Sequence, residues 1–485
     1  IHVYGGKSLL DAFQTAIPVP DLHLHLLDHG MALVTVMLLL VGHRKASPRT
    51  SRALILLALL LTVTMPDVRF NTSATMAGAA FFLGLYRTLS WSPIRDGRRL
   101  RDAVPVALLS AGACTLRQNY LAAVGIFLAL EFGVPIVQAF RFRPLTIDRA
   151  SLRRAAATAG TLFLCLSPWW AMSFHWCRSF LFPIVPGNYN KDYDYFRPLG
   201  AFAQLRYLWE NISFCFPVKA VPLFLVAALT TIDRVRFRTV VHFAIAAFLG
   251  FIMLIRNYPD IDAPNLGRYY FGFTFPALLA IGLAVGDGAG RRFLHARADR
   301  AAGLTLVLAA IGLQVYSDHD QTTKQWTQYL SMIQPEFEHP APWRALVPDP
   351  NYARLQNAIP LGARIAVMVD QFDRFDLRRN PIESLDMVGA ISPPPGLPLF
   401  GPADSVADYL VSQGYRYLIV VHPDTANYLF RRDAWQHTDA YLDVYKRTAR
   451  FYLRAFDVFD ELRTTRVQLG QAGNMTALDL TRRSK

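Results

Sequence analysis

Ten stretches of this chain are apolar over roughly membrane length, and the connections between them alternate in charge. They cover residues 24–42, 52–65, 73–91, 102–116, 119–140, 154–174, 216–231, 237–256, 268–286 and 303–317. A bilayer core takes about 20 apolar residues per helix, so the segments nearer 15 read as tilted, re-entrant or part-spanning. In hydrocarbon the backbone must satisfy its own polar groups, which a helix does locally. Ala, Leu, Gly and Phe dominate the segments, a composition that lets membrane helices pack closely. The whole chain agrees: 53% of its 485 residues are hydrophobic and only 18% charged, against about 25% charged in soluble domains. The same numbers exclude a disordered chain. With 29 Gly and 4 Cys, collagen-like and disulfide-scaffold classes are excluded as well.

Charge sets the expected orientation. Gly42–Arg52, Ser92–Asp102, Arg141–Arg154, Asp233–Arg238 and Gly286–Arg300 are dense in Arg and Lys. They alternate with Pro66–Thr72, the short turn at Arg117, His175–Cys215 and Asn257–Gly267, which carry far less positive excess. Basic loops stay in the cytoplasm, which puts residues 1–23, the loop 175–215 and everything after about 318 outside. Much of the net charge of +14 then belongs to loops facing anionic lipid. No basic stripe with interleaved aromatics supports nucleic-acid binding. The chain starts at Ile1, and its first apolar segment runs from outside to inside. Residues 1–23 are therefore expected to be the tail of a first exoplasmic loop that follows an earlier membrane helix. They lack the basic start and continuous apolar middle of a signal peptide.

The fold class that follows is a polytopic α-helical membrane protein of about ten spanning or part-spanning helices, with a C-terminal soluble α/β domain. The division is 1–23, 24–317 and 318–485. In the last part, Arg364–Asp370 and Tyr415–His422 read as buried strands, 404–414 and 434–462 as helices, and Ala477–Leu480 as a closing strand. Helix–loop–strand units of this kind point to a partly parallel sheet. Pro393–Gly396 reads as a rigid loop. An accessory or substrate-shaping role is expected for this domain, which shows no Gly-rich phosphate loop or metal-ligand spacing.

Charged groups at membrane depth are costly and often functional. Several gather at the expected outer helix ends. Asp67 and Arg69 precede the third segment, Arg117, Asn119 and Tyr120 form a very short turn, and Arg268 and Tyr269 open the ninth segment. Arg117 sits in a turn too short to reach far into water, and its planar fork suits a phosphate. Arg69 is equally suited to snorkelling toward headgroups, and Tyr269 to an interfacial aromatic belt. Asp11, Asp21 and Asp28 lie near the start of the chain, where His23 and His25 alternate without a third metal ligand fixed by spacing. A divalent ion held by carboxylate and substrate phosphate is compatible with these groups. In the loop 175–215, Tyr189, Lys191 and Tyr193 sit among Asn and Asp. Aromatic faces and amides of this kind bind sugars, and the same pattern fits an amphipathic loop lying on a membrane.

Residues 52–320 resemble bacterial GT-C-type integral membrane glycosyltransferases, the group that contains protein mannosyltransferases and aminoarabinose transferases. The resemblance is carried by Asp67–Leu85, by Ala111–Tyr120 with its small-residue helix and Leu-Arg turn, by Leu166-Ser-Pro-Trp-Trp170 followed by Phe180-Leu-Phe-Pro183, and by Arg268-Tyr269 before Phe275-Pro276. Ile359–Ile365 and Tyr415–Ile419 are similar to exoplasmic tails of that group. The resemblance implies an inverting transfer of a sugar from a polyprenyl-phosphate donor to a glycan, lipid or protein acceptor, at the outer face of a bacterial inner membrane with the C-terminal domain periplasmic. It implies a carboxylate base in the first outer loop; Asp11, Asp21, Asp28 and Asp67 are the candidates, and a base preceding Ile1 is an alternative. Arg69, Arg117, Arg268 and Tyr269 are the expected donor-phosphate ligands. Asn119, Tyr120, Tyr189, Lys191 and Tyr193 are the expected sugar or acceptor ligands. The competing classes are a transporter or flippase of a lipid-linked substrate, and an inactive membrane scaffold of the same fold. Transporters are expected to show internal repeats and helices broken at mid-membrane, and no repeat relates the two halves of this sequence. The outer face of such a membrane is oxidising, so Cys177 and Cys215, at the two ends of loop 175–215, are a candidate disulfide.

Overall fold

The computed structural model describes residues 31–41, 54–59, 75–90, 100–116, 120–133, 149–181, 234–257, 263–288, 350–369, 374–385, 392–424, 431–436 and 443–484, with isolated positions at 52, 62, 185, 187, 189, 200, 202, 206 and 323. The chain divides into two compact units. One comprises Tyr4–Trp170 and Pro198–Pro342; the other comprises Ile1–Val3, Ala171–Arg197 and Trp343–Lys485.

The first unit is helical. Its elements are α1 (Ala32–Val41), α2 (Thr75–Ser90), α3 (Ala103–Leu116), α4 (Tyr120–Leu128), which continues into a π-helical turn at Ala129–Gly133, α5 (Arg149–Cys177), whose residues from Ala171 on belong to the other unit, α6 (Arg234–Asn257) and α7 (Ala263–Gly288). The Ala- and Leu-rich runs favour helix intrinsically. Burial in the core follows the aromatic residues. Phe82, Phe127 and Phe243 are fully buried, with ring centroids 4.3 Å apart for Phe82–Phe243 and 5.0 Å for Phe127–Phe243. Edge and tilted packings of this kind contribute about 0.5–1.5 kcal/mol per pair beyond area burial. Small residues let the backbones close up. A Cβ on Gly250 of α6 would lie 2.6 Å from the Ala123 Cβ of α4, so only glycine fits that crossing.

Among the described residues two helices carry a proline in their interior, and each freed carbonyl is met by a hydroxyl. A proline removes the N–H that would bond the carbonyl four residues earlier. Pro168 of α5 frees Leu164, and Ser167 Oγ donates to that oxygen at 3.0 Å. Pro276 of α7 frees Gly272, and Tyr120 Oη donates to it at 2.6 Å.

Among the described residues one helix, over Leu152–Cys177, is long and apolar enough to cross a membrane, and only 11% of its apolar window is buried. Ala32–Val41, Ala103–Leu116, Tyr120–Gly133, Arg238–Leu254 and Phe271–Ala284 are shorter apolar helices. The expected spans 216–231 and 303–317 lie outside the described residues, as does part of 52–65. Polar residues taken into the helix ends shorten the apolar stretches: α6 opens through Arg234, Arg236 and Arg238, and α7 through Asn265 and Arg268.

The sheet of the second unit has the order β2-β1-β3-β5-β4. Its strands are β1 (Ile365–Met368), β2 (Ile382–Ser384), β3 (Tyr417–Val421), β4 (Arg466–Ala472) and β5 (Met475–Arg483). Its helices are α8 (Pro350–Asn357), α9 (Ala403–Ser412), α10 (Arg432–Gln436) and α11 (Asp443–Thr465). β1 pairs in parallel with β2 and β3, with Ile365 opposite Ile382 and Tyr417; β3 pairs antiparallel with β5, and β5 with β4. β1 and β3 are buried along their whole length, as strands covered on both faces must be. The sheet is therefore only partly parallel, as the sequence pattern leads one to expect. β5 is longer than the expected closing strand. The β4–β5 hairpin turns through Gly473 at φ +57°, a left-handed conformation that glycine adopts without steric cost.

Candidate functional site

The candidate site is built around Tyr120, the first residue of α4. Its side chain is 1% exposed. Its ring packs on Phe82 of α2 and Phe273 of α7, with centroids 5.5 and 5.2 Å away. Its hydroxyl meets Gly272, as described above. Two glycines make room for it: a Cβ on Gly78 would lie 2.4 Å from Tyr120 Cε2, and one on Gly272 would lie 2.7 Å from Tyr120 Oη. The N-terminal parts of α2, α4 and α7 therefore meet at one ring.

Residues singled out from sequence lie near each of these helix starts along the chain. Asp67 and Arg69 lie a few residues before Thr75, where α2 begins, and Arg117 and Asn119 immediately precede Tyr120. Arg268 and Tyr269 are helical residues of α7, one turn before Gly272. Helix N-termini present unsatisfied N–H groups and partial positive charge, which favour anions. Tyr120 itself has its hydroxyl committed to Gly272, so it fixes the start of α4 against α7.

The remaining expected residues are distributed as follows. Asp11, Asp21, Asp28, Asp67, Arg69, Arg117, Asn119, Lys191, Tyr193 and Cys215 lie outside the described residues, as do the side chains of Arg268 and Tyr269. Tyr189 is described, and its hydroxyl donates to the Phe174 carbonyl at 3.2 Å. Ser173 Oγ donates to the Ser179 carbonyl and Ser179 Oγ to the Val185 carbonyl, both at 2.7 Å, so the start of the loop 175–215 is laced to the end of α5. Cys177 is a buried free thiol in this structure. Among the described residues no group of three or more His, Cys, Asp or Glu side chains is placed to hold a metal ion.

Sequence reasoning missed one buried ionisable pair. His242 Nδ1 of α6 lies 2.7 Å from Glu131 Oε1 in the π-helical turn, and the two residues are 8% and 7% exposed. The signal was present: each is a titratable residue inside an apolar segment, 119–140 and 237–256, and not at its end.

In the second unit, Arg416 donates from Nη2 to Asp479 at 2.8 Å, and Thr481 donates to the same carboxylate through both its N–H and its hydroxyl. Burial works against ionisation of Asp479, but these hydrogen bonds outweigh it and hold the carboxyl below the usual carboxylate range. His422, at the end of β3, bonds Thr476 Oγ1 at 2.9 Å. Burial first, and the Arg463 charge second, push its imidazole below the ordinary value. Arg364 donates to the Tyr415 hydroxyl at 2.7 Å and lies over its ring at 4.3 Å.

No family model matches the chain, and no curated protein matches it. Among solved structures it is similar to the archaeal oligosaccharyltransferase AglB from Archaeoglobus fulgidus, determined in complex with an inhibitory peptide and a dolichol-phosphate. The TM-score is 0.37 and the sequence identity 13%, over 86% of this chain and 61% of the other.

Proposed function

We propose that the chain is a membrane glycosyltransferase of GT-C type, moving a sugar from a polyprenyl-phosphate donor to a glycan, lipid or protein acceptor at the outer face of a bacterial inner membrane. The observation that carries this reading is the Tyr120–Gly272 hydrogen bond. It ties the start of α4 to the Gly272 turn of α7; in sequence Arg117 lies three residues before Tyr120 and Arg268 four before Gly272. Further support comes from α5, whose Phe163 and Leu164 are more than half exposed, as lipid-facing residues are.

In this reading Arg117 and Arg268 each offer a planar pair of donors to the donor phosphate, with Arg69 and Tyr269 adding charge and a hydroxyl. The acceptor oxygen attacks the anomeric carbon while the bond from that carbon to the phosphate oxygen breaks. The acceptor proton passes to a carboxylate, with Asp11, Asp21, Asp28 and Asp67 as the candidates, and polyprenyl phosphate leaves. Developing charge on the leaving phosphate is stabilised by the arginines and by the starts of α2 and α4. Asn119, Tyr189, Lys191 and Tyr193 are assigned to sugar or acceptor hydroxyls. The C-terminal domain is assigned an accessory or substrate-shaping role.

The test is transfer from a radiolabelled polyprenyl-phosphate sugar in proteoliposomes. Replacing Arg117 or Arg268 by Lys keeps the charge but loses the paired donors, and transfer is expected to fall by about tenfold or more. Movement of the intact donor across the bilayer without sugar release would replace this reading with a flippase.

A further inference from the structure

Large apolar side chains left in water are ordinary when scattered singly. Among the described residues of 350–484 only two are exposed, Leu361 at 75% and Leu377 at 52%, and they are not scattered. Leu361 lies in the turn before β1, where Gly362 takes φ +77°, and Leu377 lies in the turn before β2. The two turns are bonded to each other. The Gly362 N–H donates to the Arg379 carbonyl at 3.0 Å, and buried Asn380 donates from Nδ2 to the Pro360 and Ala363 carbonyls at 2.9 and 2.8 Å. Arg379 Nη2 donates to the Ile359 carbonyl at 2.9 Å. Both leucines therefore stand on one laced double turn, and little conformational entropy is lost when that turn is covered.

Basic groups border the leucines. β1, β2 and β3 start at one end of the sheet, and antiparallel β5 ends there. Arg364, exposed three residues after Leu361, reaches to the turn before β3, where Nη1 donates to the Gln413 carbonyl at 3.0 Å and Nη2 to the Tyr415 hydroxyl at 2.7 Å. Carboxylates here are shared. Asp479 serves both Arg416 and Arg482, and Asp404 serves both Arg466 and Arg483. Asp376 accepts the N–H groups of Arg378 and Arg379, and Glu383 accepts from the Tyr415 hydroxyl. Among these groups the arginines outnumber the carboxylates.

What lies within reach of this face follows from the chain. The last residues of α5, from Ala171 on, belong to this unit, and α5 is long and apolar enough to cross a membrane. We propose that the double turn is a membrane-docking face, on which Leu361 and Leu377 enter the interfacial layer of an anionic bilayer while Arg364, Arg378, Arg416 and Arg482 meet its lipid phosphates. The inference rests on the reading that the chain is membrane-embedded, and not on sugar transfer. Covering the leucines supplies the apolar gain. Arginine stems lie along the apolar layer while their planar forks donate in pairs to phosphate oxygens. The membrane helix keeps the bilayer at high effective concentration, so a small face suffices.

The test uses the full chain in lipid nanodiscs, with the four native cysteines replaced by Ser. An environment-sensitive dye is attached through Leu361→Cys, Leu377→Cys, Leu164→Cys on exposed Leu164 of α5, or Gln436→Cys on exposed Gln436 of α10. Quenching by a lipid-borne nitroxide and by aqueous acrylamide is compared in phosphatidylcholine discs with and without phosphatidylglycerol. With phosphatidylglycerol, the dyes at 361 and 377 are expected to be reached by the nitroxide and shielded from acrylamide, and the dye at 436 the reverse. Arg378→Gln and Arg482→Gln are each expected to lower the docked-to-free ratio about fivefold, the fold-change of ~1 kcal/mol per basic residue at an anionic surface. The dye at 164 reports embedding. If the nitroxide does not reach it, the membrane reading fails and the proposal with it. If it is reached while the dyes at 361 and 377 stay open to acrylamide, docking alone is overturned. Dyes at 361 and 377 shielded from both quenchers would mean that protein covers the face, which also overturns it. A docked fraction that neither the arginine variants nor removal of phosphatidylglycerol lowers would overturn the assignment to anionic lipid.

Discussion

Tyr120 donates its hydroxyl to the Gly272 carbonyl, the acceptor that Pro276 deprives of its helical partner. A tyrosine and a proline 156 residues apart in sequence thus solve one hydrogen-bonding problem. The bond also fixes the start of α4 against α7. Tyr120→Phe leaves that buried carbonyl unmet and is expected to cost about 1–3 kcal/mol. Pro276→Ala restores the backbone donor, so the double variant should lose less than the Tyr120→Phe change alone. Unfolding in detergent, analysed as a double-mutant cycle, measures the coupling. Strictly additive losses would show that the hydroxyl does not serve the freed carbonyl.

Gly78 tests the same junction sterically. A methyl group there would lie 2.4 Å from the Tyr120 ring, so Gly78→Ala must push the ring off Gly272. The expected loss is about 1–3 kcal/mol, the range for overpacking a dense core. Combined with Tyr120→Leu, whose side chain is shorter and flexible, the Gly78→Ala penalty should shrink. A melting temperature unchanged in Gly78→Ala would mean that the ring is not held there.

The Glu131–His242 pair makes a prediction of asymmetry. Removing one partner leaves a polar or charged group buried and unmatched, at a cost of about 3–5 kcal/mol. His242→Leu alone should be strongly destabilised, whereas Glu131→Leu together with His242→Leu should recover most of the loss. Chemical denaturation of the three variants decides it; a double variant no better than His242→Leu would count against a mutually satisfied pair.

Asp479 gives the second unit an acid dependence. Its carboxyl is held below its ordinary value by Arg416 and Thr481, against the burial that opposes ionisation. A depressed carboxylate contributes stability above the unfolded-state value of about 3.9, and the contribution is lost as pH falls through the lower folded-state value. Hydrogen exchange of the β5 amides in the full chain should therefore accelerate as pH drops below about 4, after correction for the intrinsic rate. Asp479→Asn should remove that pH dependence and cost about 1 kcal/mol or more near neutrality. Arg416 is half exposed, so solvent screening keeps its share of the effect small.

Local order was more legible in the sequence than long-range pairing. Pro168 and Pro276 could be read as helix interruptions, and Ser167, adjacent to Pro168, as the hydroxyl able to cover the freed carbonyl. Tyr120 could not be read that way, because its partner lies 152 residues away and no local pattern encodes the contact. The apolar runs marked α2, α3 and α5 closely, whereas α6 opens through Arg234 and Arg236 and α7 through Ala263–Gly267, which hydropathy assigns to loops. In the second unit, β1, β3 and α9 follow their apolar patterns. β4 was missed because α11 passes into it at Thr465–Arg466 without an intervening turn. β2 is three residues long, too short for alternation to show. Glu131 and His242 are titratable residues inside apolar runs, a signal that the sequence reading passed over, and nothing in the sequence says that they face each other.

The central claim is that the helix starts gathered around Tyr120 hold the phosphate of a lipid-linked sugar. Photolabelling of the full chain in proteoliposomes, with a polyprenyl phosphate carrying its reactive group next to the phosphate, tests it most directly. The account predicts that label is confined to peptides covering residues 65–76, 115–121 and 263–276. It also predicts competition by unlabelled polyprenyl phosphate and loss of the label in the Arg117→Lys, Arg268→Lys double variant. Label spread evenly over the apolar helices, or confined peptides that stay labelled in the double variant, would contradict it.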